Sequence, residues 1–111
     1  MDIQELFRIM VDKNASDLYL TVARPSMYRI EGVINPVGDH DFESQELEDL
    51  AQAIMNERQR KEFAETMEMN LAMSLAGVSR FRVNVFRQRG SVGAALRSIP
   101  SRFMPDRNLN N

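Results

Sequence analysis

The sequence predicts one α+β domain, in which a mainly antiparallel sheet of about six strands is flanked by helices on one side. The chain of 111 residues is 43% hydrophobic and 27% charged, which suits a single globular domain with its own core. Apolar and polar residues alternate in several segments, as they do in half-buried strands. Tight turns separate these segments, which favours antiparallel pairing. The predicted order of elements is α-β-β-β-α-α-β-β-β.

The first 37 residues are predicted to form one helix and three strands. Residues 2–13 carry one apolar stripe at spacings of three and four, which indicates a helix: Ile3, Leu6, Phe7 and Met10. In SDLYLTV, residues 16–22, apolar and polar side chains alternate, which predicts a strand. MYRIEGVINPV, residues 27–37, is typical of a hairpin that turns at Glu31 and Gly32, where glycine supplies the positive φ. Pro36 ends the second arm or places it at a sheet edge.

Two helices are predicted between residues 44 and 64. Ser44 is suited to cap the first, which runs to about Met55 and buries four residues: Leu47, Leu50, Ala51 and Ile54. Asn56 and Gln59 have the spacing of a capping box, in which each side chain bonds the other residue's backbone amide. This spacing predicts a second, shorter helix that ends at about Ala64.

Three further strands and a tail complete the predicted domain. In EMNLAMSL, residues 68–75, alternation is regular, and the apolar face consists of Met69, Leu71, Met73 and Leu75. Residues 79–88 and 91–99 are predicted to be the last two strands. Residues 101–111 show no periodicity, and we expect a disordered tail or the start of a linker there.

The last two predicted strands and their turn contain five arginines: Arg80, Arg82, Arg87, Arg89 and Arg97. If the hairpin turns at residues 89–90, Arg82 pairs directly with Arg97. If it turns at residues 90–91, Arg97 pairs with Asn84, and Arg82 is its diagonal neighbour. Side chains alternate with a period of two, so either register places Arg82 and Arg97 on one face and a row of apolar residues on the other.

Two like charges that face each other across strands destabilise a sheet by tenths of a kcal/mol up to ~1 kcal/mol, so a compensating interaction is expected. An acidic side chain on a neighbouring strand is one candidate, and Glu68 has a suitable position. A bound anion is another, because guanidinium groups suit phosphate and carboxylate oxygens. The remaining alternative is a solvated face with internal ion pairs. The pattern alone leaves these alternatives open.

Composition excludes several classes of function. The net charge of −2 argues against a general nucleic-acid binder. The absence of Cys excludes disulfides and thiol chemistry, and the single histidine, His40, lies in an acidic loop. We find no metal-ligand spacing and no complete catalytic set, so no metal site is expected. The sequence contains no apolar run long enough for membrane insertion, and we expect a cytoplasmic protein.

Four segments carry a resemblance to a known family: ASDLYL (15–20), RPSMYRIEGVI (24–34), MNERQRKEF (55–63) and GVSRFRVNVFRQRGSVGAALRSIP (77–100). Together they resemble the N-terminal domain of the type IV pilus retraction ATPases, the PilT and PilU group of the type II/IV secretion ATPase superfamily. They occur in the family's order across residues 3–100, and the last segment is long and specific. Tyr19 stands where PilT usually has histidine, which, with MNERQRKEF, favours the PilU branch.

The resemblance implies a PAS-like domain over residues 1–100, followed in the family by a RecA-like ATPase domain that this chain lacks. It also implies a ring of six subunits in the cytoplasm, at the inner-membrane base of the pilus machinery that drives twitching motility. ATP and Mg would bind between the two domains of the full-length parent, and not to this chain alone.

The resemblance further implies which residues contact the nucleotide. By motif position, Arg82 in RFRVN and Arg97 in AALRSI would approach the ATP phosphates. Their role would be to stabilise charge and to couple domain closure to the nucleotide state. Arg80 and Arg87 are secondary candidates.

The chain departs from the family after Pro100, where nothing resembles the linker into the ATPase domain, and it contains no Walker motif. We therefore expect an excised domain or a natural truncation that does not hydrolyse ATP by itself. The alternative function is a stand-alone PAS-like module that uses the arginine face to bind a nucleotide, another ligand or an acidic protein. A small enzyme is disfavoured because the catalytic set is missing.

Overall fold

The computed structural model describes residues 2–99, and the predicted order of elements is confirmed. The nine elements are α1 (Ile3–Asp12), β1 (Ala15–Leu20), β2 (Ser26–Ile30), β3 (Val33–Val37), α2 (Ser44–Ile54), α3 (Glu57–Thr66), β4 (Glu68–Leu75), β5 (Ser79–Gln88) and β6 (Ser91–Ile99). The predicted tail, residues 101–111, lies outside the described residues.

All six strands form one sheet in the order β3-β2-β1-β6-β5-β4. Each neighbouring pair is antiparallel, as predicted. The sheet consists of an N-terminal meander, β1 to β3, and a C-terminal meander, β4 to β6. These two halves meet where β1 pairs with β6, so residues about 80 positions apart in the sequence, such as Asp17 and Arg97, become direct neighbours.

Two tight turns set the register of the hairpins. Glu31 and Gly32 join β2 to β3 with φ values of 51° and 80°, and Arg89 and Gly90 join β5 to β6 with values of 56° and 81°. Two consecutive positive φ angles are typical of the type I′ turn, whose twist matches that of the flanking strands. The second turn is the 89–90 alternative from the sequence, and Arg82 therefore pairs directly with Arg97.

The helix caps confirm one prediction and correct another. Asn56 Oδ1 accepts from the Gln59 amide at 2.8 Å, and Gln59 Oε1 accepts from the Asn56 amide at 2.9 Å, which is the predicted capping box. At α2 the N-cap is Glu43, one residue before the predicted Ser44. The reason is that Glu46 lies three residues after Glu43 and accepts its backbone amide at 2.8 Å.

The helices pack against one face of the sheet and form the core there. Phe7 of α1 stacks on Phe81 of β5 with ring centroids 4.0 Å apart. The other large, fully buried side chains of this layer come from all three helices and from the facing strand positions: Leu6, Met10, Leu47, Phe63, Leu18, Leu20, Tyr28, Val83, Val85 and Leu96. None of the helices in the described part of the chain is long and apolar enough to cross a membrane.

Candidate functional site

The opposite face of the sheet, which we call the open face, carries the polar residues of five strands: Asp17, Tyr19, Arg29, Glu68, Asn70, Arg80, Arg82, Asn84 and Arg97. Within residues 2–99 no helix covers this face, and Arg80, Arg82 and Arg97 are exposed. Its four arginines and two carboxylates leave a surplus of two positive charges, whereas the whole chain has a net charge of −2. The open face is therefore the cationic surface of an acidic chain.

Arg82 and Arg97 point to the open face because their neighbours in the sequence are core residues. Phe81 and Val83 flank Arg82 and are at most 1% exposed, and Leu96 beside Arg97 is equally buried. Strand alternation then directs both arginines to the other side. On β4, the residue paired with Arg82 is Ala72, whose small side chain leaves space around the guanidinium.

A buried carboxylate on β1 partly offsets the charge of Arg97, one member of this arginine pair. Asp17 pairs in register with Arg97, and Arg97 Nε donates to Asp17 Oδ1 at 3.2 Å. Asp17 is only 8% exposed. Its second oxygen accepts from the Ser16 hydroxyl at 2.8 Å and lies 3.5 Å from Nε of Arg29. A buried charge must be paired to be tolerated, and Asp17 has two cationic partners.

Arg29 is fully engaged within the domain. Its Nη2 donates to the Tyr19 hydroxyl at 3.3 Å, its Nη1 donates to the Gly32 carbonyl at 3.4 Å, and its guanidinium lies 5.9 Å from the Tyr19 ring centroid. The hydrogen bond to Tyr19, with a smaller contribution from Asp17, raises the pKa of Arg29 above its ordinary value. A guanidinium stays protonated in proteins, so Arg29 is a second cationic partner of Asp17 beside Arg97.

Glu68, the acid proposed from the sequence to offset the arginines, has a different partner. It accepts from Nδ2 of Asn84 at 3.0 Å, and the same amide donates to Oδ1 of Asn70 at 2.9 Å. Glu68 makes no ion pair with an arginine among residues 2–99. The sequence-based candidate was therefore wrong, and Asp17 takes that position because β1, which is distant in the sequence, pairs with β6.

These residues surround a cleft of about 230 Å³ on the open face, lined by Asp17, Tyr19, Asn70, Arg82, Asn84, Ala95, Leu96 and Arg97. The guanidinium groups of Arg82 and Arg97 and the side-chain amide of Asn70 supply hydrogen-bond donors. Such donors suit phosphate or carboxylate oxygens. Within the described range the protein has no cluster of three His, Asp or Glu side chains that can hold a metal ion. The donors of the cleft are thus suited to an oxyanion.

The two secondary candidates lie in different places. Arg80 is on the open face, two residues from Arg82, and pairs with Ile99. Arg87 is on the helix-covered face, where its Nη2 lies 2.9 Å from Glu48 Oε1 and its guanidinium lies 5.4 Å from the Phe63 ring centroid. The structure thus brings Arg80 near the cleft and places Arg87 on the other side of the sheet.

Comparison with known proteins shows the family to which the chain belongs. The chain is 39% identical over 99 residues to the type IV pilus ATPase PilU of Pseudomonas aeruginosa and 38% identical over 104 residues to the pilus retraction ATPase PilT of the same organism. These alignments cover 89% and 94% of the chain. The chain is homologous to the N-terminal region of the PilT and PilU pilus ATPases. The two identities differ by a single percentage point, so they do not separate PilU from PilT.

Solved structures agree with this relationship. A crystal structure of the pilus retraction motor PilT with bound ADP matches 91% of the chain with a TM-score of 0.81 and 37% identity. The ATPase DotB of Legionella pneumophila has the same fold, with a TM-score of 0.74 at 19% identity. No protein-family profile matches the chain. The chain spans 26% of the length of PilU and 30% of the length of PilT.

Proposed function

We propose that this chain acts as the N-terminal domain of a type IV pilus retraction motor ATPase, in which Arg82 and Arg97 contact the phosphates of ATP. The motor would be a cytoplasmic hexamer at the inner-membrane base of the pilus machinery. Its catalytic groups and Mg would belong to a C-terminal RecA-like domain. The homology to PilT and PilU over nine-tenths of the chain supports this assignment, as does the ADP bound in the matching PilT structure.

The observation that carries the proposal is the cross-strand pair of arginines at an open cleft. Arg82 and Arg97 are Cα partners on β5 and β6, and such a like-charged pair is unfavourable without a compensating anion. Asp17 compensates Arg97, whereas Arg82 has no carboxylate partner among residues 2–99. A phosphate chain held by another domain would supply the missing negative charge. It would form charge-assisted hydrogen bonds with both arginines.

The donor set fits the phosphates better than the metal. Guanidinium and amide groups stabilise the negative charge that develops on phosphoryl oxygens, whereas Mg²⁺ needs oxygen ligands that keep near-octahedral geometry. The carboxylates of the open face, Asp17 and Glu68, are occupied by arginines and by Asn84. In this proposal the chain therefore orients the nucleotide and stabilises charge, and the other domain binds Mg.

The test is a chimera in which this chain replaces the matching N-terminal region of Pseudomonas aeruginosa PilT. We expect the chimera to hydrolyse ATP, and we expect Arg82→Ala or Arg97→Ala to lower kcat by about 10²-fold, as loss of a charge-stabilising donor does elsewhere. Arg58→Ala, on the exposed surface of α3, is the matched control and should stay within about twofold. Equal effects of all three changes, or an inactive chimera, would count against the proposal.

The stand-alone module is the alternative outcome. The isolated 111-residue chain should show no ATP turnover above buffer, and clear turnover would overturn its assignment as a non-catalytic domain. If the isolated chain bound a nucleotide tightly through Arg82 and Arg97 while the chimera stayed inactive, a ligand-binding module without a motor would be the better description.

A further inference from the structure

Arg97 is held from one side only. Its Nε donates to Asp17, while its two terminal nitrogens have no hydrogen-bond partner among residues 2–99. The side chain is 72% exposed, although its carboxylate partner is buried. A guanidinium bound through Nε keeps its two terminal NH₂ groups, with four N–H donors, for a second acceptor. Arg97 is thus fixed through Nε, while its tip, the two terminal nitrogens, can bind another acceptor.

Asp17 is itself held rigidly. It lies on a central strand in register with Arg97, its side chain is 11% exposed, and Ser16 and Arg29 contact its other oxygen. Arg29 is in turn fixed by Tyr19 and by the Gly32 carbonyl. The consecutive polar contacts Gly32–Arg29–Asp17–Arg97 therefore connect the β2–β3 turn to the cleft. Asp17 is shared by Arg29 and Arg97, so these three side chains together keep one positive charge, which faces the cleft.

We propose that Asp17 is a positioning residue that holds the tip of Arg97 in the cleft beside Arg82, ready for an oxyanion of the phosphate chain. This inference rests on the proposed function and assigns to it a residue outside the arginine pair. Without Asp17, Arg97 gains rotamers that point away from the cleft, and much of its contribution is lost. The effect of Asp17 is therefore transmitted through Arg97 alone.

Glu68 offers a matched control for charge. It is the second carboxylate of the open face, it contacts Asn84 rather than an arginine, and its removal changes the net charge by the same amount. If Asp17 acted only by weakening the positive potential of the cleft, loss of either carboxylate would favour anion binding. If Asp17 positions Arg97, its loss impairs function, and the loss of Glu68 does not.

A double-mutant cycle in the PilT chimera tests the inference. Asp17→Ala should lower kcat and kcat/KM by about 10-fold when Arg97 is present, and by less than about twofold in the Arg97→Ala background. Asp17→Asn keeps an oxygen acceptor for Arg97 and should lose about threefold. Glu68→Gln should stay within about twofold. Equal losses from Asp17→Ala in both backgrounds would mean a purely structural role and would overturn the inference.

The proposed function and this inference fail in different ways. If Arg97→Ala keeps full activity, the arginine assignment fails. If Arg97→Ala is impaired while Asp17→Ala is not, only the positioning role fails. If Asp17→Ala does not fold, Asp17→Asn carries the cycle, and a loss of the same size in both Arg97 backgrounds overturns the inference.

A measurement on the isolated 111-residue chain gives a readout independent of activity. In ¹⁵N NMR spectra, the Nε–H resonance of Arg97 should be shifted by its bond to Asp17, should lose that shift in Asp17→Ala and should keep part of it in Asp17→Asn, which retains an oxygen acceptor. Glu68→Gln should leave it in place. An Arg97 resonance that is the same in wild type and Asp17→Ala would contradict the positioning role.

Discussion

Arg87 on the helix-covered face and the cross-strand pair of the open face, Arg82 and Arg97, use their donors differently. On the helix-covered face, Arg87 contacts Glu48, the Gly90 carbonyl and the Phe63 ring, so its charge and its apolar stem are both used within the domain. On the open face, Arg82 has no hydrogen bond or ion pair among residues 2–99, and Arg97 has one partner for its Nε. Unused donors on an ordered strand are available to another molecule, whereas those of Arg87 are already committed.

The largest expected contrast between the faces concerns Phe81 and its neighbour Arg82. Phe81 is fully buried and stacks on Phe7, so Phe81→Ala removes an aromatic pair and leaves a cavity. We expect the free energy of unfolding to fall by about 3–5 kcal/mol. Arg82→Ala, on the other face of the same strand, should change it by less than about 0.5 kcal/mol. Urea denaturation of the 111-residue chain measures both.

The unfolding free energies of Phe81→Ala and Arg82→Ala show whether only the helix-covered face stabilises the domain. A large loss of stability from Arg82→Ala would mean that the open face also holds the domain together. In that case, any loss of activity in Arg82→Ala would no longer indicate contact with a ligand.

Local sequence patterns were sufficient for most of the fold. The alternation of apolar and polar residues predicted β5 and β6 with their bounds and placed Arg82 and Arg97 on one face. The sequence left open whether the hairpin turns at residues 89–90 or 90–91, and the structure has the 89–90 turn. The capping box at Asn56 was equally local. Each of these signals depends on residues that are close in the sequence or joined by a single tight turn.

The remaining part of the site depends on contacts that no local pattern encodes. Asp17 meets Arg97 only because β1 pairs with β6, and the sequence alone did not fix which strands lie side by side. Glu68 was a reasonable candidate by strand adjacency, but its side chain bonds Asn84. An acidic residue at a polar position of a predicted strand, as in SDLYL, is the one sequence signal that could have pointed to Asp17.

The next contrast concerns Gly93, because the Phe86 ring packs over it and closes part of the open face. Gly93 pairs with Phe86, and a Cβ placed on Gly93 would lie 2.7 Å from Cε1 of that ring and 3.3 Å from the Leu20 carbonyl oxygen. Gly93→Ala should therefore lower the free energy of unfolding by about 1–2 kcal/mol, since the ring must move. Thermal unfolding of the 111-residue chain measures this change.

The control for Gly93 is the same substitution without the ring. In a Phe86→Ala background, Gly93→Ala should cost less than about 0.5 kcal/mol, because the main obstacle is gone and alanine restricts the unfolded chain more than glycine does. A cost that is unchanged in this background would assign the constraint to the Leu20 carbonyl and would leave Phe86 without a role in closing the open face.

The smallest contrast compares two carboxylates, Glu48 on the covered face and Glu68 on the open face. Glu48 binds Arg87 with both side chains about 70% buried, so Glu48→Gln leaves a mostly buried guanidinium with a weaker, neutral acceptor. We expect a loss of about 1 kcal/mol in the free energy of unfolding. Glu68→Gln still offers an oxygen to Asn84 and separates no ion pair, so its effect should stay below about 0.5 kcal/mol.

Salt dependence sharpens this last comparison, because it distinguishes an ion pair from simple packing. The difference in unfolding free energy between Glu48→Gln and wild type should shrink as NaCl rises from 0.05 M to about 1 M, since ions screen a partly exposed pair.

Arg87→Met keeps an apolar stem over Phe63 but removes the charge, and in that background Glu48→Gln should have almost no effect. If Glu48→Gln lowers the free energy of unfolding by the same amount with methionine at position 87, the Glu48 carboxylate stabilises α2 itself and not the contact with Arg87. The covered face would then hold Arg87 by packing on Phe63, and the contrast in charge between the two faces would disappear.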